Sequence, residues 1–142
     1  MKTTSLLRIA AVIMLLYFAG HTLGMPWTPG EAPADQAVIE TMKSDHFSVI
    51  GVSRSYWDFY FGFGVSISVF QLLIAVVLWQ LGSLAKSDAG RLRPLLAVFF
   101  VSFVLNAVIA GLYFFAIPLA MASLITICLG IAFLTANKSD GS

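Results

Sequence analysis

Four long apolar runs, residues 5–24, 55–81, 94–116 and 118–136, fill most of this 142-residue chain. Each has roughly the ~20 residues that an α-helix needs to cross the hydrocarbon of a bilayer. The chain is 59% hydrophobic and 11% charged, against about 45–50% and about 25% in ordinary soluble domains. A globule this short leaves much of its surface exposed, so the solvent for most of these side chains is expected to be lipid. In lipid the backbone must satisfy its own polar groups, which leaves helices and closed barrels. The runs are uninterrupted and lack the alternation of a membrane strand, which excludes the barrel. The expected fold is all-α, a single-domain four-helix transmembrane bundle. The lipid bilayer is its first partner.

The connections shape the rest. Residues 25–54 form the one sizeable polar loop, broken into turns by Pro26, Pro29, Gly30 and Pro33. Within it Val38, Ile39 and Met42 recur at helical spacing, with Asp35, Glu40 and Lys43 on other faces. That pattern predicts a short amphipathic helix lying on the membrane surface. Phe47, Val49, Ile50 and Val52 then lead back toward the bilayer. The 82–93 connection is short and basic, with Lys86, Arg91 and Arg93. Pro94 and Pro118 open the third and fourth runs, where a missing N–H costs nothing. Almost nothing joins those two runs, so they are antiparallel neighbours. The tail from Asn137 is polar, and no heptad or internal repeat is visible.

With four spans, Lys2, Arg8, Lys86, Arg91, Arg93 and Lys138 fall on one side, and only Lys43 and Arg54 on the other. This imbalance puts the termini and the 82–93 loop in the cytoplasm and makes 25–54 an extracytoplasmic loop. Trp57 and Trp79 mark the two interfaces of the second span. The first span is expected to be a retained helix and not a cleaved signal, since Phe18-Ala19-Gly20-His21-Thr22 lacks an A-x-A-like site.

The second span carries the chemistry. Ser53–Gln71 runs from Arg54 through an aromatic collar of Tyr56, Trp57, Phe59 and Tyr60 into the apolar helix. Gly62 and Ser66 lie on one flank of Asp58, Gly64 and Ser68 on the other, so neighbours are expected to approach on both sides of a central helix. Asp58 is the one acid inside an apolar run, and His21 ends the first run at what should be a similar depth. Ionisable groups at membrane depth are functional candidates. With Tyr17, Tyr56, Trp57, Tyr60 and Tyr113 they would line a shallow aromatic pocket for a small lipophile. The competing and stronger reading of Asp58 is structural: Ser55-Tyr56-Trp57-Asp58 has the S-x-x-D form of a capping box. Gln71 and Asn106, deeper in their spans, are expected to hydrogen-bond between helices. Ala122, Thr126 and Gly130 form a small-residue packing face on the fourth span, which serves packing or oligomerisation.

Other chemistries find little here. His21, His46, Asp45 and Glu31 have no metal-ligand spacing, no Gly-rich phosphate loop occurs, and neither metal nor cofactor is expected. The near-neutral charge, with no basic patch, points away from nucleic acid.

Taken together, His21-Thr22-Leu23-Gly24 and Ser55-Tyr56-Trp57-Asp58-Phe59-Tyr60-Phe61-Gly62-Phe63-Gly64 give the first two spans a resemblance to a group of uncharacterised small four-helix bacterial inner-membrane proteins. The resemblance implies that setting and supplies no reaction. The expected role is a non-enzymatic accessory or lipophile-binding protein that associates with itself or with a larger membrane complex. The alternative is a small isomerase- or oxidoreductase-like membrane enzyme that uses His21 and Asp58 on a lipophilic substrate.

Overall fold

The computed structural model describes residues 2–24 and 30–136. Pro26, Pro29, Lys138 and the polar tail lie outside them. The chain is mostly helical. Four of the five helices among the described residues are long and apolar enough to cross a membrane: α1 (Thr3–Gly24), α3 (Tyr56–Leu84), α4 (Arg93–Tyr113) and α5 (Ala116–Thr135). The fifth, α2 (Pro33–Ser44), lies in the polar connection, with Pro33 in its first turn, Asp35 near its positive end and Lys43 near its negative end. A 3₁₀ turn, Gly90–Leu92, leads into α4. The chain divides into two compact units. One holds the chain up to Tyr17 together with that from Gln71 onward; the other is Phe18–Phe70.

In the first unit α4 and α5 form an antiparallel pair joined only by Phe114 and Phe115, both extended. α5 begins two residues before the expected 118, and Pro118 is buried in its first turn. That place is tolerated because the missing N–H has no helical partner there. Along the pair, Arg93 lies 4.6 Å from the Phe133 ring centre. A Cβ built at Gly130 would meet the Phe100 ring at 3.0 Å, and one at Gly111 would meet Leu119 at 3.7 Å. The small face of α5 is therefore occupied by α4 of the same chain: Ala122 is buried, and Gly130 accommodates Phe100.

The buried positions of α5 are Pro118, Ala122, Ile125, Leu129 and Ala132, steps of four, three, four and three residues. This is the spacing of a coiled-coil seam. It is invisible in the sequence because the outward side chains, among them Leu124, Ile127, Ile131 and Leu134, are just as apolar. α4 buries Leu96, Phe103 and Ala110 at intervals of seven. The start of α1 and the end of α3 complete the core with Leu6, Leu7, Ala10, Ala11, Met14, Ala75, Leu78 and Leu81. Thr3 and Thr135 share a 3.0 Å hydroxyl hydrogen bond, and a Cβ at Gly82 would lie 3.4 Å from the Thr4 carbonyl. The start of α1, the ends of α3 and α5 and the start of α4 thus meet at one end of this unit, the order of an up-and-down bundle.

The second unit departs from the all-α expectation. His46–Val49 (β1) and Val52–Ser55 (β2) pair antiparallel, with His46 opposite Ser55 and Val49 opposite Val52. Ile50 and Gly51 form the two-residue turn at φ of 52° and 78°. Two successive positive angles match the twist of a tight hairpin and favour Asn-Gly. A β-branched Ile there costs about 1–2 kcal/mol, and its side chain is 98% exposed. α2 contacts β2, turning Ile39 and Met42 partly inward while Val38 stays exposed. Of the two small-residue flanks of α3, one is used: Gly64 and Ser68 are buried, while Gly62 and Ser66 are exposed. α3 is packed here on one side and not on both.

Gly82 is buried, and a side chain there would meet Arg8 Cγ at 3.2 Å and Leu7 Cβ at 3.5 Å, whereas a Cβ at Gly20 meets nothing within 4 Å. Overpacking a close contact costs about 1–3 kcal/mol. Gly82→Leu should therefore lower the thermal unfolding midpoint in detergent, and Gly20→Leu should leave it unchanged or raised.

Candidate functional site at the start of α3

The hairpin runs directly into α3, and the junction fixes the helix start. The Ser55 backbone N–H donates to Asp58 Oδ2 at 2.8 Å, and the Asp58 N–H donates to Ser55 Oγ at 3.1 Å. This is a reciprocal capping box: two N–H groups that would otherwise have no helical acceptor are satisfied by two side chains. Ser55 is buried. The Asp58 carboxylate also sits where the helix dipole favours negative charge.

Around the cap the aromatic residues form one cluster. Phe47 of β1 lies 4.8 Å from the Tyr56 ring centre and 5.2 Å from that of Phe59. Trp57 lies 5.6 Å from Tyr60 and 6.3 Å from Phe61, and Lys43 of α2 places its ammonium 5.0 Å from the Trp57 ring centre. α2, the hairpin and the first turns of α3 are thereby tied together. Tyr56, Phe59, Tyr60, Phe61 and Phe63 nevertheless remain exposed, an aromatic surface suited to flat or apolar partners.

His21 is placed elsewhere. Its Nδ1 hydrogen-bonds Ser68 Oγ at 3.1 Å, and the Thr22 hydroxyl donates to the same oxygen at 3.0 Å. Ser68 lies ten residues beyond Asp58 in α3, about 15 Å along the axis. The expected meeting of His21 with Asp58 at one depth is therefore not found. The last turn of α1 sits beside the middle of α3, and the carboxylate is held at α3's first turn. Ser68, buried, is the hub of a three-residue polar link that the sequence marked only as a small packing position. Its partners follow from the register of α1 against α3, which no local motif encodes.

The remaining expected residues are spread over the other unit. Tyr17 is partly buried against the apolar core, and Tyr113 is 77% exposed at the end of α4. Gln71 and Asn106, expected to behave alike, do not. Gln71 is 6% exposed, and its Oε1 has no hydrogen-bond partner among the described residues. Asn106 is exposed and makes no side-chain hydrogen bond among them. Neither expected interhelical bond is found among the described residues: Gln71 is buried with its Oε1 unpaired, and Asn106 faces outward. Among the described residues no group of three or more His, Cys, Asp or Glu comes together. His46 instead bonds the Ser44 carbonyl at 2.7 Å.

The cap generates a test. Removing the Ser55 hydroxyl leaves the Asp58 N–H unpaired, and loss of an N-cap side chain costs about 0.5–2 kcal/mol. Ser55→Ala should lower the unfolding midpoint accordingly. Asp58→Asn, which keeps an acceptor oxygen, should be tolerated better than Asp58→Ala.

No family model, no curated protein and no solved structure matches this chain.

Proposed function

We propose that this is a multi-pass membrane protein with a non-enzymatic accessory role, one that associates within the bilayer and holds a small lipophile at the aromatic start of α3. The observation that carries the reading is the Ser55–Asp58 capping box. It commits the one carboxylate of the apolar runs to a backbone N–H, while His21 is bonded to Ser68 farther along α3. The proton-transfer pair that an isomerase- or oxidoreductase-like enzyme would need loses its support in distance. The exposed rings of Tyr56, Tyr60, Phe61 and Phe63 remain as a surface for a lipophile.

Four crossings are supported by the four long apolar helices and by the tryptophan positions. Trp57 and Trp79 are 22 residues apart in α3, about 33 Å, close to the ~30 Å hydrocarbon thickness. Each carries a basic side chain over its ring: Lys43 at 5.0 Å and Arg8 at 4.9 Å. Such pairs belong at the two interfaces, where indole and cation both find headgroups. The basic imbalance supports an orientation with the termini and the 82–93 connection in the cytoplasm and α2 and the hairpin outside. The bacterial inner membrane is the setting that the resemblance of the first two spans implies.

Purification in mild detergent followed by mass spectrometry tests the role. The expected result is a retained lipid, quinone or membrane protein, or a second copy, with any bound lipophile lost on Tyr56→Ala combined with Tyr60→Ala. A monomer with nothing bound would contradict the proposal. So would an Asp58→Asn variant that folds normally but loses turnover of a lipophilic substrate.

A further inference from the structure

We propose that two copies of this chain pair through α4, their Asn106 amides hydrogen-bonded to each other across a two-fold axis along the bilayer normal. The proposal rests on the bilayer-spanning reading above and gives its association a surface.

α4 turns Leu96, Phe103 and Ala110 inward. At 100° per residue, Ser102, Asn106, Ile109 and Tyr113 fall in a sector of about 60° well to one side of that seam, and all four are exposed. Asn106 lies about 20 Å along the axis from Arg93 and about 10 Å from Tyr113, so in a spanning α4 it is inside the hydrocarbon. Its side chain carries two donors and an acceptor oxygen, and lipid satisfies none of them. Gln80, another exposed amide, lies beside Trp79 near the end of α3, where headgroups and water are in reach.

A second copy is the occupant that geometry favours. Copies inserted in one orientation carry Asn106 at one depth, so a parallel two-fold pairing brings amide against amide. A carboxamide complements itself, since each can donate to the other's oxygen. Ser102, one turn away, is small enough to let the backbones approach. An unrelated partner would have to present a polar group at that depth independently. The small face of α5 does not compete, because Phe100 of the same chain fills it at Gly130. The other exposed side chains of α4, such as Val98, Val104 and Leu105, are apolar and satisfied by lipid.

Oxidative cross-linking in native membranes tests this on the full chain with Cys128→Ala, which removes the single native cysteine. Ser102→Cys and Ile109→Cys, each with Asn106 kept, should give disulfide-linked dimers. Val104→Cys, on the opposite side of α4, should not. Adding Asn106→Leu should weaken pairing about 3- to 30-fold, the effect of losing a membrane hydrogen bond, with helical content unchanged. Absence of dimers at 102 and 109, equal yield at 104, or indifference to Asn106→Leu would each overturn the proposal. If those failures occur while another protein or a lipophile still co-purifies, the accessory reading survives and only this pairing falls. If the chain is missing from the membrane fraction, the spanning reading fails first.

Discussion

In hydrocarbon a backbone N–H finds its acceptor within the protein and not in the solvent. On the proposed bilayer-spanning reading this constraint keeps each long apolar run a continuous helix. Among the described residues the Phe114–Phe115 link, the 3₁₀ turn and the hairpin lie at the ends of those helices. On the same reading, the large exposed apolar side chains of α3, α4 and α5 face lipid. Specificity has to come from elsewhere: from close approach at Gly82 and Gly130, from the seam of α5, and from a few polar contacts where helices meet.

Those polar contacts act mainly as structure. Ser55 and Asp58 start α3, Thr3 and Thr135 tie the first helix to the last, and Ser68 takes bonds from the last turn of α1. A polar group in an apolar medium does most when its partner is fixed, and each of these groups has a defined one. Asn106 is the contrast. It lies in the middle of α4 and not at a helix end, is exposed, and makes no side-chain hydrogen bond among the described residues.

The long helices were legible because length and hydropathy alone define them. Their observed bounds differ from the expected runs by three residues or fewer. The capping box was legible too, since Ser55 and Asp58 stand three apart just before an apolar run. The hairpin was not: its strands have four residues each, and its turn is Ile-Gly where Asn-Gly would have signalled it. Which face of each long helix points inward was equally hidden, because lipid and core select the same side chains. That ambiguity explains why Gln71 and Asn106 looked equivalent while one is buried and the other exposed. The His21–Ser68 contact depends on how α1 and α3 align, a long-range register with no local signature.

Two-sided labelling in sealed vesicles tests the central claim, four bilayer crossings, most directly, because it distinguishes an odd from an even number of crossings between α2 and the α3–α4 connection. Single cysteines at Lys43, in α2, and at Arg91, between α3 and α4, would be introduced into the Cys128→Ala chain and exposed to a membrane-impermeant maleimide. Four crossings with cytoplasmic termini require labelling of the Lys43 position from the extracytoplasmic side only and of the Arg91 position from the cytoplasmic side only. Labelling of both positions from the same side would contradict that arrangement.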